Sequence, residues 1–294
     1  MRLLCSAFIV VMLLMTVEGY SLEWKSLHER ADSISLPEAE AYVKKNLDSL
    51  DDLYVLGVVY LNMHKDDLAL SIFSRMLEIS QDLTEARWGK AEVLRRTYDL
   101  EKSQVLLQEI IENEPKFAPA YVSFAYIKYY LQDYKETVRL SQIVMKQGEE
   151  EVDSGNLARA YLIFGGAKGM IAHYGGPIVK IIHGPQILPN LKKAQEILPD
   201  TAGVYFGLGA FYLLAPPVAG GDIDKAQDYL EKAVRKEPEL VDAYVRLAQV
   251  HKAKGDMEKY NTYLNKALEL DPKSFLANDI KSKSCKFICI ESKE

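Results

Sequence analysis

Side chains that commonly carry catalysis or bind metal ions are sparse in this chain of 294 residues, which contains five histidines and three cysteines. The sequence lacks a P-loop, a G-x-S-x-G nucleophile motif, an H-E-x-x-H metal motif and a C-x-x-C pair. Carboxylates are abundant, but a run such as the three glutamates at 149–151 is typical of a solvated helix end. We therefore predict no catalytic residue, no enzyme activity and no cofactor.

Two histidines raise the one alternative that involves chemistry, a metal-dependent enzyme site in the centre of the chain. His173 and His183 flank a segment rich in glycine and proline. However, no Asp, Glu or Cys stands beside them at ligand spacing, and they lack the i, i+4 separation that places two ligands on one helix face. The spacing favours histidines that hydrogen-bond near helix ends, and we predict no metal site.

Cys285 and Cys289 lie four residues apart near the C-terminus. One helical turn would bring them close enough for a disulfide, whereas an extended strand would hold them too far apart. An oxidising compartment would permit that bond, and without a second matching pair the spacing is not that of a zinc site. The sequence leaves two alternatives open, a local disulfide or two free thiols.

The N-terminus has the pattern of a secretory signal. Arg2 precedes an apolar stretch at 3–15, and Val17-Glu18-Gly19 then places small or short residues before a cleavage site. The apolar stretch is shorter than the ~20 residues that a transmembrane helix needs, so a membrane anchor or a buried helix is the less favoured alternative. We expect a chain that is exported, to the periplasm or outside the cell, after cleavage near Gly19, with no transmembrane segment in the mature form.

The charge balance bears on the kind of partner. The net charge is −6, and no cluster of Lys and Arg forms a compensating basic face, so the chain repels a phosphate backbone. Hydrophobic residues make up 48% of the chain, which is enough to bury a core. We therefore expect a folded protein whose partner is not a nucleic acid.

A period of 34 residues organises most of the chain. In the first copy, small residues stand at Gly57 and Ala69 and a large one at Phe73. The equivalent positions in four later copies are Ala91, Ser103 and Leu107, then the weaker Ala125, Thr137 and Ser141, then Gly209, Ala226 and Leu230, and then Ala248, Tyr260 and Leu264. Small residues let paired helices approach closely, and large ones fill the space between layers. With prolines that close the second helix at Pro238 and Pro272, the pattern resembles the tetratricopeptide repeat.

The resemblance implies an all-α fold, a right-handed α-solenoid of helix pairs with a concave face. The centre departs from the period, because Gly165, Gly166 and Gly169 interrupt a helical run and prolines divide the next segment into short helices. Close helix packing or a ligand against the bare backbone would each explain these glycines. The expected organisation is a signal peptide at 1–19, N-terminal helices at 20–49, three repeats at 50–151, an irregular helical insert at 152–200, two repeats at 201–275 and a C-terminal tail at 276–294.

In tetratricopeptide proteins, fixed positions of the first helix of each unit line a concave groove. The resemblance places these residues in the groove: Tyr54, Val58, Leu61, Trp88, Val122, Tyr126, Tyr129, Phe206, Leu213 and Val245. Most of them are aromatic or aliphatic, and exposed apolar surface of that extent usually marks a binding site. The alternative is that the N-terminal helices or the central segment fill the groove, since burial is the usual fate of an apolar surface.

An insertion separates the two helices of the fourth copy. Pro216 and Pro217 end the first helix, Gly220 and Gly221 make a turn that needs positive φ, and Asp222 caps the second helix. The run at 211–226, Phe-Tyr-Leu-Leu-Ala-Pro-Pro-Val-Ala-Gly-Gly-Asp-Ile-Asp-Lys-Ala, resembles the signature loop of the T component of TRAP transporters, a family of periplasmic tetratricopeptide proteins.

That second resemblance implies a helical-repeat lipoprotein that oligomerises around an apolar pore and pairs with a solute-binding protein. This chain departs from the family, because no lipid-attachment cysteine stands at the expected cleavage site. We expect an exported scaffold whose partner is a protein or peptide, such as a solute-binding protein, or an apolar small ligand, with a homo-oligomer as one form. The alternative is a general envelope scaffold or assembly factor that takes a peptide or helix in its groove.

Overall fold

The structure, a computed structural model, describes residues 22–290, so the signal peptide predicted at 1–19 lies outside the described residues. That part of the chain holds α-helices and no strand, and the predicted all-α class is confirmed there. The helices are α1 (Trp24–Ser33), α2 (Leu36–Lys45), α3 (Leu50–Asn62), α4 (Asp66–Ile79), α5 (Thr84–Arg96), α6 (Leu100–Asn113), α7 (Ala118–Tyr130), α8 (Tyr134–Glu151), α9 (Ser154–Tyr174), α10 (Pro177–His183), α11 (Ile187–Ile197), α12 (Ala202–Leu214), α13 (Ile223–Lys236), α14 (Val241–Ala253), α15 (Met257–Leu270) and α16 (Phe275–Ser282).

Most helices pair with a neighbour along the chain. Three pairs occupy the range 50–151, namely α3 with α4, α5 with α6 and α7 with α8. Two more, α12 with α13 and α14 with α15, occupy 201–275. Each first helix also packs on the first helix of the next pair, as α3 does on α5 and α5 on α7. The first helices therefore line the inner surface of a stack, as a solenoid requires.

The centre of the chain continues this stack, although the sequence predicts an irregular insert at 152–200 that breaks it. α9 packs against α7 on one side and α12 on the other, and α11 pairs with α9. A Cβ atom added to Gly165 would lie 2.9 Å from Leu191 Cδ2, just as one added to Gly57 would lie 2.7 Å from the Phe73 ring. Gly165 thus serves close helix packing, and α9 with α11 is a sixth pair of the same kind.

An added segment between the two helices of this sixth pair changes its spacing, so the repeat is not recognisable in the sequence. α10 and a 3₁₀ turn at Gly184–Gln186 lie between its two helices. As a result, Leu191 follows Gly165 by 26 residues, whereas Phe73 follows Gly57 by 16. A search at a fixed period cannot align the two, so the expectation that the centre divides the array into two parts is wrong for a simple reason of spacing.

Four of the connections within pairs share one backbone conformation. His64, Tyr98, Gln132 and Gly255 have φ values of 55°, 67°, 64° and 80°, and the first three stand 34 residues apart. In all four, the following amide donates back to a carbonyl of the preceding helix at 2.9 Å, which ends that helix. Three of these residues are not glycine, although L residues rarely adopt positive φ. The period is therefore present in the backbone even where its side chains vary.

The stack curves until its two ends meet. His64 Nε2 lies 2.8 Å from a Glu237 carboxylate oxygen, across 173 residues of sequence. The Tyr98 hydroxyl donates to Asp271, and the Tyr98 ring meets the edge of the Phe275 ring at a centroid distance of 5.1 Å. Connections of the first pairs thus contact the last pairs.

Candidate binding site

The N-terminal half of the concave surface is filled by aromatic side chains. α1 lies against α3, and its His28 ring is 5.2 Å from the Trp88 ring between centroids. His28 Nε2 is 2.6 Å from the Tyr54 hydroxyl oxygen. Trp24 of the same helix meets Phe117 at 5.4 Å. Tyr54 and Trp88, which the sequence places in a binding groove, therefore belong to a core that α1 completes.

His28 is the polar centre of this core, with 2% of its surface exposed. The Asn156 amide donates to His28 Nδ1 at 3.3 Å and to Asp153 at 2.8 Å. Burial lowers the pKa of His28, and the nearby Asp153 carboxylate opposes that effect without reversing it. The ring is then neutral at pH 7, so it accepts at Nδ1 and donates from Nε2 to Tyr54.

A polar contact occupies the middle of the surface. Arg95 donates to both Glu92 carboxylate oxygens, at 2.8 and 2.6 Å, and the Ser123 hydroxyl donates to Glu92 at 2.7 Å. The Arg95 guanidinium also lies over the Tyr126 ring, 4.9 Å from its centroid. Burial raises the pKa of Glu92, but the attraction of Arg95 outweighs it and holds the pKa below its usual range. The pair is satisfied within the chain and offers no open cation or anion site.

The C-terminal half of the surface is filled by residues between 285 and 289, which follow α16. A disulfide joins Cys285 and Cys289, so the first of the two alternatives for these cysteines holds. The residues from 285 to 289, here called the tail loop, enter the concave surface. Phe287 and Ile288 are 5% and 8% exposed and share a hydrophobic cluster with Val245.

None of the ten predicted groove residues forms an open apolar surface. Tyr126, Tyr129 and Phe206 are half-buried. The other seven, which are Tyr54, Val58, Leu61, Trp88, Val122, Leu213 and Val245, are buried. The chain itself fills the groove, through α1, α9 and the tail loop, where a peptide or an apolar small ligand was expected. The contribution of the tail loop has no signal in the repeat pattern.

The loop at 216–222 has the form that its residues predict, with one exception. The chain makes a 3₁₀ turn at Pro217–Ala219, and Gly220 has a φ of 96°. Asp222 caps α13 by accepting from the amides of Asp224 and Lys225 at 3.1 Å. The exception is Gly221, where space and not positive φ requires glycine, because a Cβ atom would lie 1.8 Å from a backbone oxygen.

Exposed aliphatic side chains lie on the same side of the stack as this loop. Ile178 and Ile181 of α10 are 73% and 74% exposed, and Val218 of the loop is 98% exposed. Because the helices of each pair are antiparallel and the pairs stack in one sense, the connections within pairs lie along one edge. The two long connections, 175–186 and 215–222, belong to adjacent pairs and form what we call the insertion edge. The Ile-Val-Lys-Ile-Ile run of α10 was the available signal for it.

The described residues give little support to a metal-dependent site or to a membrane-spanning helix. In the range 22–290, no three His, Cys, Asp or Glu side chains lie together as metal ligands would. Burial lowers the pKa of both His173 and His183. None of the described helices has the length and apolar character to cross a membrane. The absence of enzyme activity stays a prediction.

Comparison with known proteins agrees with this geometry. The tetratricopeptide repeat family model matches residues 241–274, which contain α14 and α15. No curated protein sequence matches the chain.

Three solved structures are similar in fold. A tetratricopeptide repeat protein from Parabacteroides merdae has 14% identity and a TM-score of 0.52, covering 87% of this chain and 96% of its own. A monomeric mutant of IFIT1 with Gppp-AAAA has 16% identity and a TM-score of 0.56, covering 86% and 58%. The APC/C hetero-tetramer Cut9-Hcn1 has 16% identity and a TM-score of 0.55, covering 86% and 46%. At such identities the likeness concerns the fold alone. Residues 241–274 thus match the tetratricopeptide repeat, and the stack as a whole has the fold of a tetratricopeptide repeat protein.

Proposed function

We propose that the chain is an exported scaffold that binds a solute-binding protein at the insertion edge, as a T-component-like subunit of a TRAP-type system. One observation carries the proposal. The loop at 216–222, on which the resemblance to that family rests, lies on the same edge as the exposed Ile178 and Ile181. Tetratricopeptide arrays are interaction scaffolds, and clustered exposed aliphatic side chains are typical of a protein interface. Because the concave surface is filled, the proposal assigns the solute to the partner.

Export is supported by the disulfide between Cys285 and Cys289, since such bonds persist in oxidising compartments. Cell fractionation with N-terminal sequencing tests it. We expect the protein in the envelope or the medium with a new N-terminus at Tyr20. A cytosolic protein that keeps residues 1–19 would contradict export.

The partner is tested by crosslinking in cells, with a photoreactive residue at position 181 and a control at Val105, an exposed valine of α6. We expect one discrete adduct from position 181, identified as a solute-binding protein, and none from 105. With that protein purified, Ile178→Asp/Ile181→Asp should weaken binding at least tenfold and Val105→Asp should not. Equal binding by both variants would reject the edge, and an adduct only to a second copy would replace the transport role with self-assembly.

A further inference from the structure

The tail loop is held mainly through its backbone. Arg246 donates to the Phe287 carbonyl at 3.0 Å and to the Ile288 carbonyl at 3.3 Å, and Gln249 donates to the Ile288 carbonyl at 2.9 Å. Both donors stand on α14, the first helix of the last repeat, so they face the concave surface. Contacts to main-chain oxygens are available to any peptide of the same shape, whatever its sequence.

Two further side chains complete the set that holds the tail loop, which we call the cradle. The Asp279 carboxylate accepts from the amides of Lys286 and Phe287, both at 2.9 Å. The Tyr174 hydroxyl lies 3.2 Å from the Cys285 carbonyl and 2.7 Å from the Lys286 carbonyl. Side chains from α9, α14 and α16 thus converge on four consecutive residues.

Apolar contacts favour particular side chains at positions 287 and 288 of the tail loop. The Phe287 ring stacks on Tyr129 of α7, with centroids 6.1 Å apart and planes 20° from parallel. Ile288 lies in the same cluster as Met170 and Val245. The site therefore accepts an aromatic residue followed by an aliphatic one, which is a small version of a protein-binding pocket.

The tail loop does not use everything that the site offers. Arg246 Nε is buried and has no acceptor among the described residues. A cleft of about 290 Å³ beside the loop is lined by residues that include His173, Lys252 and Ile290. A longer ligand could extend into the cleft, so the site has more room than its present occupant fills.

The shape of the loop is a closed turn. The Ile288 amide donates to the Cys285 carbonyl at 3.3 Å, and the disulfide between Cys285 and Cys289 closes the ring. Cys285 and Ile288 have φ values of 56° and 68°, which non-glycine residues adopt at a cost. The ring and the cradle together hold a conformation that an open chain would leave readily.

We propose that this cradle is a recognition site for a peptide turn that carries an aromatic and an aliphatic residue in succession, presented by a partner protein. The tail loop is its resident ligand and competes with that partner. An attached ligand has an effective concentration in the millimolar range, so it excludes a free peptide of micromolar affinity. The site lies on the concave surface, and the proposal does not depend on docking at the insertion edge.

The test uses the full chain and a labelled peptide, Lys-Ser-Cys-Lys-Phe-Ile-Cys-Ile, with its disulfide formed, in fluorescence anisotropy. The variant Phe287→Ala/Ile288→Ala should release the tail loop and bind the peptide at least tenfold more tightly than the unchanged protein. A matched peptide with Ala-Ala in place of Phe-Ile should bind at least tenfold more weakly. Adding Gln249→Leu to the variant should reduce binding at least fivefold.

Several outcomes would overturn the proposal. The unchanged protein could bind the peptide as tightly as the variant, both peptides could bind alike, or a folded variant could fail to bind. If the alanine variant does not fold, Cys285→Ser/Cys289→Ser decides instead, because it changes no fully buried side chain. This variant should bind the peptide more tightly than the unchanged protein, and equal binding rejects the site. Ile178→Asp/Ile181→Asp should leave peptide binding unchanged, so failure here and failure at the insertion edge are separate results.

Discussion

The two halves of the concave surface are filled in different ways. In the N-terminal half, α1 contributes the Trp24 and His28 rings, which pack side chain to side chain against Phe117 and Trp88. In the C-terminal half, Arg246 and Gln249 hold the backbone of a short turn near the end of the chain. The first arrangement is a permanent core, whereas the second has the character of a ligand attached to its own receptor. One repeat architecture thus supports both uses.

The largest expected effect compares Trp88 with Phe287, since both are 5% exposed. Trp88→Ala should lower the free energy of unfolding by about 3–5 kcal/mol, because it leaves a cavity between α1 and α5 that cannot close. Phe287→Ala should cost less, because the tail loop can detach and leave the stack intact. Urea unfolding followed by circular dichroism measures both. Equal losses would mean that the tail loop is as much a part of the core as Trp88.

A pH effect should distinguish the N-terminal half. Glu85 of α5 is 1% exposed and accepts from the Leu22 amide at 3.2 Å, and burial raises its pKa to about 7. Its folded pKa lies above the unfolded value, so its contribution to stability is full at low pH and is lost as pH rises towards 7. Glu85→Gln should therefore stabilise the protein by about 2–3 kcal/mol at pH 8 and by little at pH 4.

The difference in the free energy of unfolding between Glu85→Gln and the unchanged protein isolates the effect of the Glu85 carboxyl. His28 has the opposite trend, because its lowered pKa makes stability fall as pH drops below 6.5, but it is present in both proteins. Thermal unfolding from pH 4 to pH 8 measures the difference. A constant difference across that range would show that Glu85 does not titrate between the folded and unfolded states.

A smaller effect concerns the C-terminal half. Cys285→Ser/Cys289→Ser opens a short ring closed by residues four apart, for which loop entropy predicts about 2 kcal/mol. We expect that loss to be local, so that hydrogen exchange at the Phe287 amide becomes faster by about 30-fold. The amides of α14 should be unchanged and serve as the control. Faster exchange throughout α14 would contradict the view of the tail loop as a detachable ligand.

The smallest effect concerns the contact that joins the two halves. The His64 and Glu237 side chains are 33% and 35% exposed, and such exposed pairs contribute less than about 1 kcal/mol. A double-mutant cycle with His64→Ala and Glu237→Ala should give a coupling energy below that value, and 1 M salt should reduce any ionic part of it. A coupling above about 2 kcal/mol would mean that closure of the stack stabilises the fold substantially.

The sequence predicts features that are local and repeated. Small residues such as Gly57 and Ala91 mark helix pairs because the large partner residue, Phe73 or Leu107, follows each by 16 residues. The sixth pair is not recognisable in the sequence, because α10 increases the number of residues between Gly165 and Leu191. The sequence cannot predict how the groove is filled, since the contact between His28 and Asn156 joins residues 128 apart. The tail loop lies beyond the last repeat, so no period applies to it.

The turn residues His64, Tyr98 and Gln132 occupy the same place in their pairs as the long connections 175–186 and 215–222 do in theirs. Pairs of the same geometry therefore have very different lengths of chain between their two helices. Since no residue of the two long connections is buried, their sequences can change without refolding the array. The edge that carries them is free to diverge, and a designer could exchange either connection to give the same scaffold a new specificity.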